Sequence, residues 1–199
     1  MKKAQKLVDV DGIDAVSKAL LSLLNMFPGL GSGKGILFST LSESGGIGFF
    51  PTSGAALLQN SEDITGHVHQ VCLYPFHVIY RAAPKSDVQK IRIKDFLDTL
   101  GKWLELQPIT LNGTAYKLER YPALDDPTAV INSESGEALL TENFKCLEPE
   151  TAAASVPAVQ RTIRSIARTN AAHLSAVYDD GIEDWMISAT LQYENDFEK

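Results

Sequence analysis

The chain has 199 residues, of which 44% are hydrophobic and 22% charged, a composition typical of a globular protein in solution. This length allows one domain with a hydrophobic core and a sizeable insertion. No apolar run approaches the roughly 18 residues of a membrane span, and aspartates follow the basic N-terminus where a secretory signal needs an apolar segment. We therefore expect a soluble intracellular product.

The net charge of −7 is unevenly distributed along the chain. Residues 1–107 carry eleven Lys or Arg and ten Asp or Glu, whereas residues 108–199 carry seven and fifteen. Such a chain lacks the basic surface that grips a phosphate backbone. The two cysteines, Cys72 and Cys146, form no CxxC pair, and we expect small buried side chains rather than a disulfide.

The first elements are a helix and two short strands. Apolar residues at helical spacing predict a helix over Asp11–Asn25, which Pro28 and Gly29 end. Residues 36–39 and 47–50 are short strand candidates with a glycine-rich turn between them.

The strongest strand signal covers Thr65–Arg81, which is rich in Val, Ile and Tyr. Pro75 interrupts it and cannot donate a backbone hydrogen bond, so we predict a long strand that kinks there. A wide apolar stripe then predicts a helix over Asp87–Leu106, capped by Ser86 or Asp87.

The second half of the chain is mostly strand. Residues 109–118 predict a hairpin around Asn112-Gly113. Residues 121–160 are acidic, punctuated by prolines and weakly periodic, which favours an irregular insertion. Strands are predicted over 161–168 and 184–193. The expected fold is α+β, a mostly antiparallel sheet with two helices on one face, in a single domain built from residues 1–120 and 161–199.

The glycine-rich segment Gly29–Gly35 resembles a phosphate-binding loop only superficially. A P-loop needs a Ser or Thr after its lysine, but Gly35 follows Lys34, and Pro28 stands where the first glycine belongs. The spacing of a dinucleotide-binding loop fails as well. We interpret the segment as a flexible connector and predict no cofactor.

His67 and His69 are two residues apart in the long strand, so both side chains project to one face. They could chelate a metal if a third ligand joined them, and His77 has the same parity beyond Pro75. A solvated or interfacial sheet face explains them as well, and we predict no metal site. Ser, His and acidic residues stand in no recognised catalytic spacing, so no enzyme is predicted.

Three segments, taken with the first helix, carry a family resemblance over about two thirds of the chain. They are residues 71–81, with Tyr74-Pro75-Phe76 at the centre, residues 92–106, and the closing strand 185–195. In this order they resemble the tail terminator proteins of long-tailed phages of Gram-positive bacteria, often labelled minor capsid proteins.

The resemblance implies a mechanical role. Such proteins form hexameric rings that dock on the last ring of tail tube protein and stop its polymerisation. The ring then presents a surface to the head-side connector, the stopper protein, and DNA passes through the centre. The protein would lie in the tail or neck of the virion after assembly in the host cytoplasm. An acidic chain suits a lumen through which DNA slides.

Ring closure is heterologous, so each subunit needs two different complementary patches. Candidate surfaces are the segment Gly29–Gly35, the loop Pro51–Gly66 and the insertion, although these could also pack on their own domain. The apolar residues that would anchor a partner are Leu57, Leu58, Leu139, Leu140 and Phe144.

Two alternatives remain open. One is another neck or tail-completion protein of a siphophage, a myophage or a phage-derived contractile tail, since fold alone does not fix function. The other is an enzyme or small-ligand binder that uses His67, His69 or the segment Gly29–Gly35.

Overall fold

The computed structural model describes residues 13–31, 34–122, 124 and 160–198. These residues form two helices and eight strands. In chain order the elements are α1 (Ile13–Asn25), β1 (Ile36–Phe38), β2 (Gly46–Pro51), β3 (Ala56–Glu62), β4 (His67–Ala82), α2 (Asp87–Leu104), β5 (Ile109–Leu111), β6 (Thr114–Tyr116), β7 (Gln160–Val177) and β8 (Glu183–Glu198).

Six of the strands form one sheet in the order β1-β2-β4-β8-β7, with β3 beside β4 on the same side as β2. The long strands β4 and β8 form its centre and pair from His67↔Glu198 to Ala82↔Glu183. All pairs are antiparallel except β1 with β2. This confirms the predicted α+β class with a mostly antiparallel sheet.

One face of this sheet carries the hydrophobic core. Because side chains alternate along a strand, every second residue of β4 and its partner on β8 point to the same side. The fully or nearly fully buried residues on this side are Tyr74, Phe76 and Val78 of β4 and Ile187, Ala189 and Leu191 of β8.

Both helices pack on this face, as the sequence predicts. Helix α1 contributes Val16, Leu20, Leu23 and Leu24 to the core, and α2 contributes Leu97, Leu100, Trp103 and Leu104. The Ser17 Oγ and the Tyr74 hydroxyl form a buried hydrogen bond of 2.7 Å between α1 and β4. Neither helix among the described residues is long and apolar enough to cross a membrane.

Helix α2 begins and ends for local reasons. Ser86 is the cap, and its side chain accepts a hydrogen bond from the Gln89 N–H, which satisfies a donor of the first turn. The helix stops at Leu104, two residues before the predicted end, because Leu106 adopts a left-handed conformation with φ of 59°.

The predicted long strand is confirmed as β4, which continues through Pro75. The register between β4 and β8 continues through Pro75↔Thr190 without a shift. On the other edge of β4, pairing with β3 ends at Leu73 and pairing with β2 begins at Phe76. The Pro75 carbonyl accepts from Thr52 N–H on that side, so the missing N–H of proline faces the gap between two neighbours.

The structure has more strand than the sequence predicts in two regions. The predicted loop Pro51–Gly66 contains β3, and β7 continues to Val177, well past the expected end at Arg168. Neither segment alternates cleanly between apolar and polar residues, because β3 is exposed throughout and β7 contains several register shifts.

The predicted hairpin is confirmed as β5–β6, with φ of 51° at Asn112 and 82° at Gly113, as a tight two-residue turn requires. Most of the predicted insertion 121–160 lies outside the described residues, as does Cys146. Tyr121 and Leu124 at its start pack on the core, and Cys72 is buried.

Candidate functional site

Strand β3 forms one border of the sheet and exposes all seven of its residues. It pairs with β4 alone among the described strands, with a register shift between Leu57 and Gln59 that leaves Leu58 without a partner on β4. Leu57 is 55% exposed and Leu58 61% exposed, and Ile64 in the following turn is fully exposed. At Leu57 and Leu58 this border therefore exposes apolar side chains that the chain's own described residues leave uncovered.

The structure thus places two of the five predicted anchors, Leu57 and Leu58, next to each other on an exposed strand. The other three predicted anchors, Leu139, Leu140 and Phe144, lie outside the described residues. The turn after β3 is held by Asp63, whose side chain accepts from Thr65 and from the His67 N–H. The Thr65 hydrogen bonds lower the pKa of Asp63.

Strand β7 forms the opposite border and pairs with β8 alone among the described strands. Leu174 and Val177 near the end of β7, and Tyr178 directly after it, are exposed. In the order β3-β4-β8-β7 this second apolar surface lies across the sheet from the first. The two surfaces differ in sequence and in strand geometry, since β7 has four register shifts and β3 has one.

Acceptors on and beyond helix α2 satisfy backbone N–H groups of β7 that do not pair with β8. The Asp98 carboxylate accepts from the Ala172 N–H, and the Tyr121 hydroxyl accepts from the Ile166 N–H. Glu105 accepts from the Arg168 N–H at 2.9 Å and from its guanidinium at 3.0 and 2.8 Å. These charge-assisted bonds lower the pKa of Glu105 and fix β7 to the helix.

The turn between β7 and β8 is fixed by a second ion pair. Arg81 donates two hydrogen bonds of 2.7 Å to Asp184, and its guanidinium lies 5.1 Å from the centre of the Tyr178 ring. The hydrogen bonds from Arg81 lower the pKa of Asp184. Beside it, Lys90 donates to Glu183, which also accepts from the Trp185 indole. Two ion pairs therefore hold the turn beside which the exposed apolar residues lie.

The face of the sheet away from the helices mixes polar and apolar side chains and carries four histidines, on β4 and β7. Because the register is unbroken, His77 shares this face with His67 and His69, but it lies eight residues, or about 26 Å, from His69 along the strand. It therefore cannot be the third ligand considered from the sequence. Burial, and to a smaller extent His173, lowers the pKa of His77.

Carboxylates from β8 meet the two remaining histidines instead. His69 lies opposite Asp196 in the register, and its Nδ1 is 2.7 Å from Asp196 Oδ1. The His69 Nε2 lies 3.9 Å from Glu194 Oε1, and the His67 Nε2 lies 3.6 Å from Asp196 Oδ1. Among the described residues, His69, Glu194 and Asp196 form the group whose donor atoms could hold a metal ion, and His67 lies beside this group. The sequence shows both histidines but not their partners, because only strand pairing brings β8 beside them.

The glycine-rich segment does not have the setting of a nucleotide-binding loop. It leads from helix α1 into strand β1, the reverse of the strand-loop-helix order of a P-loop. Asn25 fixes its end, since its side chain donates to the Ile36 carbonyl and accepts from the Ile36 N–H. A shallow open cavity of about 330 Å³ lies beside this segment, against Arg92 and Phe96.

No protein-family model matches the chain, and a search of curated proteins found no match.

Proposed function

We propose that this chain is a structural protein of a long-tailed phage or a phage-derived tail, and that it acts as a tail terminator in a ring of identical subunits. The three segments that resemble terminators, residues 71–81, 92–106 and 185–195, lie together in the fold. They form most of β4, α2 and β8, the two central strands and the helix packed on them. The segments that carry the resemblance are therefore adjacent in the fold, although they are separate in the sequence.

The observation that carries the proposal is the pair of unlike apolar borders. A closed ring of identical subunits needs two different surfaces, because each copy contacts one neighbour through each. The β3 border offers Leu57 and Leu58, and the β7 border offers Leu174 and Val177. Both borders belong to the same hydrogen-bonded sheet, which would fix the angle between neighbouring subunits.

Side chains rather than added strands would make this contact. Register shifts twist a border strand and disrupt the regular row of backbone groups that another strand would need. Strand β7 has four such shifts, and β3 has one at the two leucines. The exposed leucine side chains then act as the anchors that enter a pocket on the neighbour.

The lumen of the ring is proposed to let DNA pass without holding it. The chain carries 25 Asp or Glu and 18 Lys or Arg, and excess negative charge repels a phosphate backbone. A lumen lined mainly by Lys and Arg would argue against this part of the proposal.

Another neck protein with the same fold would also form a ring, so ring formation alone does not identify a terminator. Only a terminator stops the growth of tail tubes from their open end. The two functions therefore differ in what the ring does to assembling tube protein.

The ring is tested by measuring the mass of the purified chain over a range of concentrations, with analytical ultracentrifugation. We expect a species of six chains. Leu58→Lys should shift the equilibrium toward single chains about tenfold or more, because it places a charge in the apolar contact.

Asn60→Lys is the matched control, since it adds the same charge to the same exposed strand without removing an apolar anchor. It should leave the equilibrium nearly unchanged. A wild-type chain that stays single at every concentration would contradict ring formation by the chain alone. An unchanged equilibrium in Leu58→Lys would exclude the β3 border as the contact.

A further inference from the structure

Four side chains with metal-binding atoms lie close together on the face of the sheet away from the helices. His67 and His69 are alternate residues of β4, and Glu194 and Asp196 are alternate residues of β8. Because β4 and β8 pair with His69 opposite Asp196 and Val71 opposite Glu194, all four side chains point to the same side. Each strand holds its two donors at a fixed spacing, and neighbouring strands lie about 4.8 Å apart.

The distances within this group are short. The ligand atoms of His69, Glu194 and Asp196 all lie within 4.8 Å of one another. His67 lies at the edge of this group, with its Nε2 3.6 Å from Asp196 Oδ1. His69, Glu194 and Asp196 are each partly buried, so the site is open to an entering ion and still anchored by the sheet.

We propose that His69, Glu194 and Asp196 bind a divalent first-row transition metal ion, with Zn²⁺ as the reference ion, and that the exposed side chain of His67 rotates to supply a fourth ligand. Two imidazoles and two carboxylates supply the four ligands of a tetrahedral site. Imidazole disfavours Mg²⁺ and Ca²⁺, which take oxygen ligands. The donors must move closer together, to bonds of about 2.0–2.2 Å from the ion, and rotation of these partly exposed side chains is sufficient.

Arg164 positions one of the ligands. Its Nη2 lies 2.5 Å from Glu194 Oε2, whereas the other carboxylate oxygen, Oε1, faces His69. Arg164 can therefore stay bound to one oxygen while the second binds the ion. An outer hydrogen bond of this kind orients a ligating carboxylate.

Metal binding would join the two central strands at one end of the sheet. It should therefore stabilise the fold in proportion to the occupancy of the site. Binding should weaken in acidic solution, because an imidazole nitrogen that carries a proton cannot bind a metal. The site does not depend on ring formation, and its failure would leave the proposed function untouched.

The test is isothermal titration of the full chain, treated with a chelator and then freed of it, with ZnCl₂. We expect one ion per chain and a rise in melting temperature on saturation, and no saturable binding of MgCl₂ at the same concentration. His69→Gln and Asp196→Asn should each weaken Zn²⁺ binding about tenfold or more. His173→Gln, which removes an exposed histidine from the same sheet, is the matched control and should bind as wild type does.

A second measurement on the wild-type chain covers the case in which a variant does not fold. Zn²⁺ should protect His67 and His69 from modification by diethyl pyrocarbonate, read by mass spectrometry, while exposed His173 stays reactive. No saturable Zn²⁺ binding, or equal modification of His67 and His69 with and without Zn²⁺, would overturn the proposal. Binding that survives both substitutions in folded protein would do the same.

Discussion

Helix α2 approaches strands β7 and β8 closely at Gly101. A Cβ atom at this position would lie 2.7 Å from Ile187 Cδ1 and closer still to the Arg168 side chain. Arg168 cannot easily give way, because Glu105 holds its guanidinium by two hydrogen bonds. The glycine is therefore required by packing.

Gly101→Ala is expected to destabilise the protein by about 1–3 kcal/mol, as overpacking of a core does. This cost should exceed the gain of about 1 kcal/mol in helix propensity. Chemical denaturation followed by circular dichroism measures the difference. Asp95→Ala, at an exposed position of the same helix, should change the free energy of unfolding by less than about 0.5 kcal/mol. Equal stability of Gly101→Ala and wild type would show that the helix can move away from the sheet.

Because of His77, we expect the folded protein to lose stability in mildly acidic solution. Its Nδ1 is buried without a hydrogen-bond partner, and burial lowers its pKa below the ordinary value of 6.5. The unfolded chain therefore takes up this proton at a higher pH than the folded chain does. The stabilisation is complete above pH 6.5 and is lost as the pH falls from there toward the lowered pKa.

Melting temperatures measured between pH 7.5 and 5 test this expectation. His77→Gln should reduce the fall in melting temperature over this range. His173→Gln removes only the smaller of the two causes of the shift and should have a weaker effect. A wild-type slope that His77→Gln leaves unchanged would assign the acid sensitivity to other groups.

At the scale of elements, the sequence predicts those whose signals are local. Helix α2 is predicted nearly to its ends because its apolar stripe and its cap at Ser86 lie within one segment. The hairpin β5–β6 is predicted because Asn112-Gly113 encodes its turn. Strand β3 is missed because its two leucines are adjacent rather than alternating, which reflects the register shift beside them.

The candidate surfaces also differ in whether a local sequence signal predicts them. Leu57 and Leu58 stand out from the sequence because they are large apolar residues in a predicted loop, followed directly by the polar residues 59–63, and the structure places them on an exposed strand. Asp196 has no such signal, since it is one of several acidic residues near the end of the chain. It lies 127 residues from His69 along the chain, and only the pairing of β4 with β8 brings the two together.

At the scale of the whole molecule, the last strand of the chain lies at the centre of the sheet. Strand β8 pairs with β4 on one side and with β7 on the other. The two apolar borders are therefore held in a fixed relation by strands from distant parts of the sequence. This arrangement supports a subunit that contacts two neighbours at a constant angle.

We propose that a ring of this chain ends the growth of a tail tube. Electron microscopy of tail tube protein from the same genome, polymerised with and without the chain, tests it most directly. We predict ring-shaped densities at one end of the tubes, and tubes that stop lengthening once the chain is added. Tubes that continue to grow and carry no density at either end would contradict the account.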